Sequence, residues 1–214
     1  MNARLSQVAW MAGVSAVSAI CAVLIVWFLG LGPRQTQVVT APAPAPAAAK
    51  AGFDLWRVAG VTGQADSAKA PDGSNTAYKL TENSEDMARG ISAVLNIDPA
   101  KRVGASLYAR DGNGRRLLLR LGSGPNEIRC DVDLQSGKTA VQSAGSAQAA
   151  SCKSMTRGEG WWRIELLGVV NPSGDSGEIV IAIAPTKDPF GDSYRGNGNG
   201  YILIWQAAVS QPSG

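Results

Sequence analysis

From residue 51 onward, the chain repeats short runs in which apolar and polar residues alternate. Gly, Pro, Asn and Asp separate these runs, and none has the spacing of an amphipathic helix. Such alternation is typical of half-buried β-strands. It predicts nine strands: Asp54–Ala59, Thr76–Leu80, Arg89–Val94, Arg102–Arg110, Arg115–Leu121, Glu127–Asp133, Gly160–Val169, Glu178–Ala184 and Tyr201–Val209. Nine strands in a segment of this length indicate an all-β fold with one β-sandwich.

A turn signal separates the fourth and fifth predicted strands. The residues Asp111-Gly112-Asn113-Gly114 contain both an Asp-Gly and an Asn-Gly pair. These pairs favour the tight turns that join antiparallel neighbours, so this segment predicts a β-hairpin.

The N-terminal part of the chain has a different pattern. Val8–Leu31 is almost continuously apolar, and no charged residue lies between Arg4 and Arg34. A helix of this length rises roughly 36 Å and can cross a hydrocarbon core of about 30 Å, so we expect a transmembrane helix. The alternative is a signal peptide, whose apolar region is normally shorter, about 7–15 residues, and precedes a small-residue cleavage site.

The expected domain organisation has four parts. A tail (1–7) precedes the transmembrane helix (8–31), an Ala/Pro-rich linker (32–50) and the sandwich (51–214). Alternating Ala and Pro residues restrict the linker to extended conformations, which predicts a semi-rigid spacer.

The charges divide at the end of the linker. Arg4, Arg34 and Lys50 are the only charged residues up to position 50, which leaves 17 basic and 17 acidic residues in the remainder. A neutral domain has no overall field to attract nucleic acid, so we expect no nucleic-acid partner.

Two cysteines of the predicted sandwich, Cys130 and Cys152, are separated by polar and small residues. A disulfide between them would stabilise the domain by roughly 3 kcal/mol, and such bonds form in exported domains. The alternative is two unrelated buried thiols. The basic residues beside Val8–Leu31 favour neither orientation. The cysteines therefore lead us to expect a single-pass protein of the bacterial inner membrane, with a periplasmic or extracellular sandwich.

Five segments, in order, carry a family resemblance. They are Ala70–Leu80 (APDGSNTAYKL), Ser106–Arg110 (SLYAR), Cys130–Gly137 (CDVDLQSG), Gly160–Ile164 (GWWRI) and Tyr194–Trp205 (YRGNGNGYILIW). Together they resemble phage head-spike and tail-fibre domains of the jelly-roll type, which are similar to carbohydrate-binding modules. The resemblance spans nearly the whole predicted sandwich and implies a two-sheet jelly roll that recognises a glycan.

Alternation also assigns side chains to the two faces of each strand. It places three apolar sets in the core: Leu117, Leu119 and Leu121; Ile128, Cys130 and Val132; and Trp162, Ile164 and Leu166. If these strands share a sheet, the outward side chains combine aromatic rings with charged groups on one surface. The candidate ligand-binding residues are Tyr108, Arg110, Arg116, Arg120, Arg129, Asp131, Trp161, Arg163 and Glu165.

Such a surface suits a carbohydrate polymer. Pyranose C–H groups pack on aromatic rings, here those of Trp161 and Tyr108, while Arg, Asp and Glu side chains bind hydroxyls. The alternative interpretation is a solvated, salt-bridged sheet exterior. The predicted function is membrane-anchored, lectin-like binding of a cell-envelope or extracellular polysaccharide. The alternative function is a structural or assembly protein of the envelope that contacts another protein through the sandwich.

Catalysis has little support in the sequence. The chain contains no histidine, which removes the usual general base and the Ser-His-Asp triad. We therefore expect no enzyme; the remaining alternative is a glycoside hydrolase that uses Glu127, Asp131 and Glu165. We also expect no cofactor. The alternative is a structural calcium at Asp131 and Asp133, although these two carboxylates supply too few of the six to eight oxygens that calcium takes.

Overall fold

The computed structural model of the protein describes residues 53, 56–99, 101–171, 176–185, 187, 189–191 and 193–211. These residues form fourteen β-strands joined by turns and short loops. The strands are β1 (Arg57–Ala59), β2 (Val61–Ala68), β3 (Ala77–Glu82), β4 (Asp86–Ala88), β5 (Gly90–Asn96), β6 (Arg102–Asp111), β7 (Arg116–Ser123), β8 (Asn126–Asp133), β9 (Thr139–Ala144), β10 (Gln148–Thr156), β11 (Trp161–Val169), β12 (Ser176–Ala184), β13 (Ser193–Arg195) and β14 (Tyr201–Ser210).

Two six-stranded antiparallel sheets contain most of the strands. The first sheet has the order β1-β5-β12-β7-β8-β9, and the second has the order β10-β11-β6-β14-β3-β2. The short strands β4 and β13 pair with each other in a third, two-stranded sheet. The all-β prediction is confirmed, and the two large sheets have the arrangement of a β-sandwich.

The core consists of the apolar side chains that both large sheets direct inward. The sets predicted from alternation in β7 and β8 are all fully buried, as are Ile164 and Leu166 of β11. Trp162 is half-buried against the same core, and its indole N–H donates to the carbonyl of Leu134 at 2.8 Å. Full burial of each of these Leu, Ile or Val side chains stabilises the fold by about 1.5–3 kcal/mol.

The predicted disulfide is present. Cys130 on β8 and Cys152 on β10 are bonded, with 5.8 Å between their Cα atoms. Since β8 belongs to the first sheet and β10 to the second, the bond joins the two layers of the sandwich.

The predicted hairpin at Asp111–Gly114 is wrong, although the turn itself forms. β6 lies in the second sheet and β7 in the first, so the turn crosses between layers. The Asp111 carboxylate accepts hydrogen bonds from the backbone N–H groups of Gly114 and Arg115, at 2.7 and 3.0 Å. The Asn113 side chain bonds the backbone of Asn199 and Tyr201, which fastens the turn to the start of β14. The Asp-Gly and Asn-Gly pairs therefore predicted a turn correctly, but they could not indicate which sheet the next strand joins.

A buried ionic network lies at the end of β3. The Glu82 carboxylate is 2% exposed and accepts two hydrogen bonds from Arg115, at 2.7 and 3.1 Å. It also accepts bonds from the Tyr194 hydroxyl at 2.5 Å and from the backbone N–H of Asn197 at 3.0 Å. Burial alone would raise the pKa of Glu82, but these donors outweigh it and lower that pKa to about 2. The network ties the glycine-rich segment before β14 to β3.

The predicted transmembrane helix and linker lie outside the described residues. Within the part of the chain that the structure describes, no helix has the length and apolar character needed to cross a membrane.

Candidate functional site

The nine candidate ligand-binding residues divide between the two large sheets. Tyr108 and Arg110 on β6, and Trp161, Arg163 and Glu165 on β11, belong to the second sheet. Arg116 and Arg120 on β7, and Arg129 and Asp131 on β8, belong to the first. The expectation that these strands share one sheet is therefore wrong, because the turn after β6 carries the chain into the other layer.

Trp161 lies on the outer face of the second sheet, as alternation predicts, but it is not exposed. Its side chain is 1% exposed and packs with Ala70, Ala77 and Leu203. The guanidinium carbon of Arg110 lies 5.2 Å from the centre of its ring system. The prediction that Trp161 stacks on a sugar therefore fails, because its ring is already covered. Alternation assigns a face to a residue but cannot reveal a loop that folds over that face.

Tyr108 is half-buried and lies beside a second aromatic residue, Trp205 on β14. The two residues are directly opposite each other in the β6–β14 pairing, and their ring centres are 5.2 Å apart at an angle of 60°. Arg163 and Met155 continue the same cross-strand row on β11 and β10. We call the surface formed by Tyr108, Trp205, Arg110, Arg163 and Glu165 the aromatic face.

The Trp205 ring is held by the loop between β2 and β3. Its indole N–H donates to the Thr76 hydroxyl at 3.0 Å, and that hydroxyl lies 2.5 Å from the Ser74 hydroxyl. Ser74 in turn donates to Asp72 from its side chain and its backbone, at 2.6 and 2.9 Å, and these two bonds lower the pKa of the Asp72 carboxyl. This chain of hydrogen bonds fixes the orientation of the ring before any ligand arrives.

Charged groups flank the two rings. Arg163 and Glu165 form an ion pair at 2.9 Å, and their side chains remain 36% and 30% exposed. The Tyr108 hydroxyl has no hydrogen-bond partner among the described residues. The aromatic face therefore presents two rings, a phenol hydroxyl that no described residue binds, and a partly exposed ion pair within one small area.

Sequence reasoning did not include Trp205 among the candidate ligand-binding residues, although a signal for it was available. The strand Tyr201–Val209 was predicted, and Ile202 and Ile204 are its fully buried positions. The alternation of these residues places Trp205 outward, on the same face as Leu203.

Two of the candidate residues on the first sheet, Arg116 and Asp131, form an ion pair with each other. Asp131 is fully buried and accepts hydrogen bonds from Arg116, one of them at 2.7 Å from Nε. Its other oxygen accepts from the backbone N–H of Phe190 at 3.3 Å. The prediction of Asp131 as an exposed ligand contact is therefore corrected: the pair supports the segment around Phe190, which packs on the outer face of this sheet.

The other two first-sheet candidates, Arg120 and Arg129, remain partly exposed. Both are near the Glu127 carboxylate: Arg129 Nε lies 2.6 Å from one oxygen and Arg120 Nε 3.7 Å from the other. Their side chains are 25% and 28% exposed.

The three acids considered for glycoside hydrolysis do not share a face. Glu165 is on the second sheet, whereas Glu127 and Asp131 are on β8 of the first. The latter two are four positions apart along one strand, so their Cα atoms are roughly 13 Å apart, whereas the carboxyl groups of a hydrolytic pair are about 5–9.5 Å apart. The described residues also contain no group of three or more Cys, Asp or Glu side chains placed to hold a metal ion.

Comparisons with known proteins add a modest structural likeness. No family model matches the chain, and no curated protein matches it. The solved structure of TmCBM61 in complex with β-1,4-galactotriose is similar over 75% of this chain and 90% of its own, with 14% identity and a TM-score of 0.40. The CBM22-1 xylan-binding domain of Paenibacillus barcinonensis Xyn10C is similar over 73% of this chain and 85% of its own, with 14% identity and a TM-score of 0.40.

A third solved structure is the enzymatically active domain of bacteriophage CBA120 tailspike protein 4. It is 15% identical with a TM-score of 0.44, and the match covers 75% of this chain but 20% of the tailspike chain. At these levels of similarity, a function has to be derived from the two outer faces themselves.

Proposed function

We propose that the protein is a non-enzymatic carbohydrate-binding module with a jelly-roll sandwich, which Val8–Leu31 holds at a membrane. Its ligand is a cell-envelope or extracellular polysaccharide that docks on the aromatic face. The observation that carries this proposal is the half-buried Tyr108–Trp205 pair, in which Trp205 is oriented by Thr76.

The chemistry of this face matches that of a sugar. The C–H side of a pyranose ring is weakly apolar and packs on an aromatic ring, while its hydroxyls need hydrogen-bond partners around the rim. Here the Tyr108 hydroxyl can donate or accept, and the Arg163–Glu165 pair offers charged donors and acceptors at the margin.

A protein interface is the competing use of the sandwich. A stable interface needs about 1,000 Å² of total buried area with an apolar centre. The large apolar side chains most exposed on the described residues are scattered: Val58, Val94 and Val141 are on three strands of the first sheet, and Met155 is on the second. A compact pair of rings beside charged groups favours a sugar over a protein partner.

Binding of the purified full-length chain to a panel of neutral polysaccharides tests the proposal. The chain is kept in a detergent without a sugar headgroup. We expect Trp205→Ala and Tyr108→Ala each to weaken binding by at least tenfold, because each removes a ring whose burial contributes about 1.5–3 kcal/mol. Trp205→Phe keeps an aromatic ring but loses the bond to Thr76, so its loss should be smaller.

Val141→Ala is the matched control, since this exposed residue is on β9 of the opposite sheet. It should bind like the unmodified chain. No binding across the panel by a folded chain, or equal losses in Val141→Ala and Trp205→Ala, would refute a sugar site on the aromatic face.

A further inference from the structure

The outer face of the first sheet contains a groove that the proposed function does not use. A concavity of about 290 Å³ lies over β1, β5, β12 and β7. A second one of about 270 Å³ continues over β7 and β8, and both are lined by Arg120, Glu178 and Val180. Side chains at the floor are small, such as Ala59, Ser92 and Ala182. We call the two concavities together the arginine groove.

Arginines stand along this groove in one cross-strand row. The strand pairings place Arg57 opposite Ser92, Ser92 opposite Val180, Val180 opposite Arg120, and Arg120 opposite Arg129. With neighbouring strands about 4.8 Å apart, the row from Arg57 to Arg129 is roughly 19 Å long. Guanidinium groups therefore occur at both ends of the groove, with small side chains between Arg57 and Arg120.

The positive charges of this row exceed the negative ones. Arg120 and Arg129 both lie near the Glu127 carboxylate. Arg57 is exposed and makes no ion pair with any described residue. Among the described residues that line the groove, Glu178 is the other carboxylate, so Arg57, Arg120 and Arg129 face two acids, although residues 51–214 as a whole are neutral.

A fourth arginine adds a buried charge beside the groove. Arg89 lines the concavity next to Gly90 and is 1% exposed. Its Nη1 donates to the backbone carbonyls of Met87 and Tyr194, but it has no carboxylate partner among the described residues, and its Nε and Nη2 atoms make no hydrogen bond there. Its guanidinium carbon lies 4.2 Å from the centre of the Tyr194 ring, so the side chain packs toward β13, and Arg89 adds long-range positive charge to the groove rather than a direct contact.

We propose that the arginine groove is a second binding site and that its ligand is an acidic polysaccharide, a chain polymer with carboxylates on its sugar units. Arg57 binds a carboxylate of one unit, because a guanidinium matches a carboxylate with two parallel hydrogen bonds. Arg129, whose Nε and Nη2 already donate to Glu127, binds a carboxylate of another unit through its remaining N–H groups. Arg120 and Ser92 contact the polymer between them. This site is on the opposite sheet from the aromatic face and does not depend on it.

An acidic peptide is a poorer match for this surface. Extended peptides usually join a sheet at an edge, where unpaired backbone groups are available. The groove begins at the edge strand β1, but most of it crosses β5, β12 and β7, whose backbone groups are paired on both sides. Recognition here depends on side chains, which suits a polymer whose polar groups project at regular intervals.

Binding of the full-length chain to polygalacturonate tests this inference, with poly-glutamate and a neutral polysaccharide as the other probes. We expect Arg57→Gln and Arg129→Gln each to weaken polygalacturonate binding at least tenfold, and higher salt to weaken it further. Arg157→Gln is the matched control, because Arg157 is exposed in the turn between β10 and β11 and its removal changes the net charge equally. Thermal unfolding of each variant shows that the fold is kept.

Three results would overturn the inference: no binding of polygalacturonate, the same loss in Arg157→Gln as in Arg57→Gln, or equally tight and equally Arg57-dependent binding of poly-glutamate. The Trp205→Ala variant separates the two proposed sites. It should retain polygalacturonate binding while losing neutral glycans. The proposal for one site can therefore be refuted without refuting the other. Loss of both ligands in Trp205→Ala would contradict an independent groove.

Discussion

A carboxylate that is hydrogen-bonded in the folded chain holds its charge to lower pH there than in the unfolded chain. Glu82 shows this, with a pKa of about 2 in the fold against 4.5 without its partners. Its contribution to stability is therefore present above about pH 4.5 and is lost as the pH falls toward 2. The size of this shift corresponds to a few kcal/mol.

Chemical unfolding of the full-length chain between pH 7 and pH 2 measures this contribution. Glu82→Gln should be less stable at pH 7, because Arg115 loses its carboxylate, and should show a flatter decline toward pH 2. Glu85→Gln is the control, since Glu85 is an exposed acid nearby. An unchanged pH slope in Glu82→Gln would show that Glu82 is not the group whose protonation destabilises the fold.

Gly137 is a second position where a small change should alter the stability of the fold, because alanine there would add a Cβ atom. Its φ is +71°, and a Cβ there would lie 2.3 Å from the Trp162 ring. Gly137→Ala should lower the free energy of unfolding by roughly 2–4 kcal/mol, from backbone strain plus the clash. Gly73 has a similar φ of +87° but open space around it, so Gly73→Ala should cost only the strain, about 1–2 kcal/mol. Equal losses in the two variants, measured by urea unfolding, would exclude a role for the Trp162 contact.

At the scale of elements, alternation identified the strands that bury a face. Each of the nine predicted strands overlaps an observed one. Eight of them bury large apolar side chains, whereas the three residues of β1 are exposed. The five strands that were missed have weaker patterns. β2, β9 and β10 are at sheet edges with many exposed residues, and β4 and β13 have three residues each.

The candidate site was less predictable than the strands. Alternation correctly placed Tyr108, Arg163 and Glu165 outward, but strand pairing depends on contacts between distant parts of the chain. The turn at Asp111 therefore did not reveal that β7 joins the other sheet. For the same reason, the sequence did not show that Trp161 is covered or that Trp205 lies beside Tyr108.

The disulfide between Cys130 and Cys152 allows a prediction about how the two sheets are held. Its removal in Cys152→Ser should lower the free energy of unfolding by about 3 kcal/mol, the value expected for closing a loop of 22 residues. Urea unfolding with and without a reductant measures this effect. The reductant should destabilise the unmodified chain and leave Cys152→Ser unchanged; a similar loss in both would assign the effect to something other than this bond.

At the scale of the whole molecule, the membrane anchor stays a sequence-based prediction with a direct test. The full-length chain should remain in the membrane fraction after a high-pH carbonate wash, and a chain lacking Val8–Leu31 should not. If the segment is instead a cleaved signal peptide, the mature protein will lack its first residues by mass spectrometry and will be recovered in soluble form.

The two proposed sites face away from each other on opposite sides of the sandwich. One polymer chain cannot reach both without passing around a sheet edge, so each molecule would hold two separate chains. The protein would then connect an acidic polymer to a neutral one, and both to the membrane if the anchor is present.

The first strand also determines how the domain responds to mechanical load. β1 is an edge strand that follows the N-terminal segments and pairs with β5 over only three residues, Arg57 to Ala59. A pull on the chain ahead of Arg57 reaches these three pairs first, whereas each strand within the sheet is held by pairs on both sides. Tension would therefore detach β1 before the core yields, and the end of the arginine groove that contains Arg57 would be the first part of the domain to open.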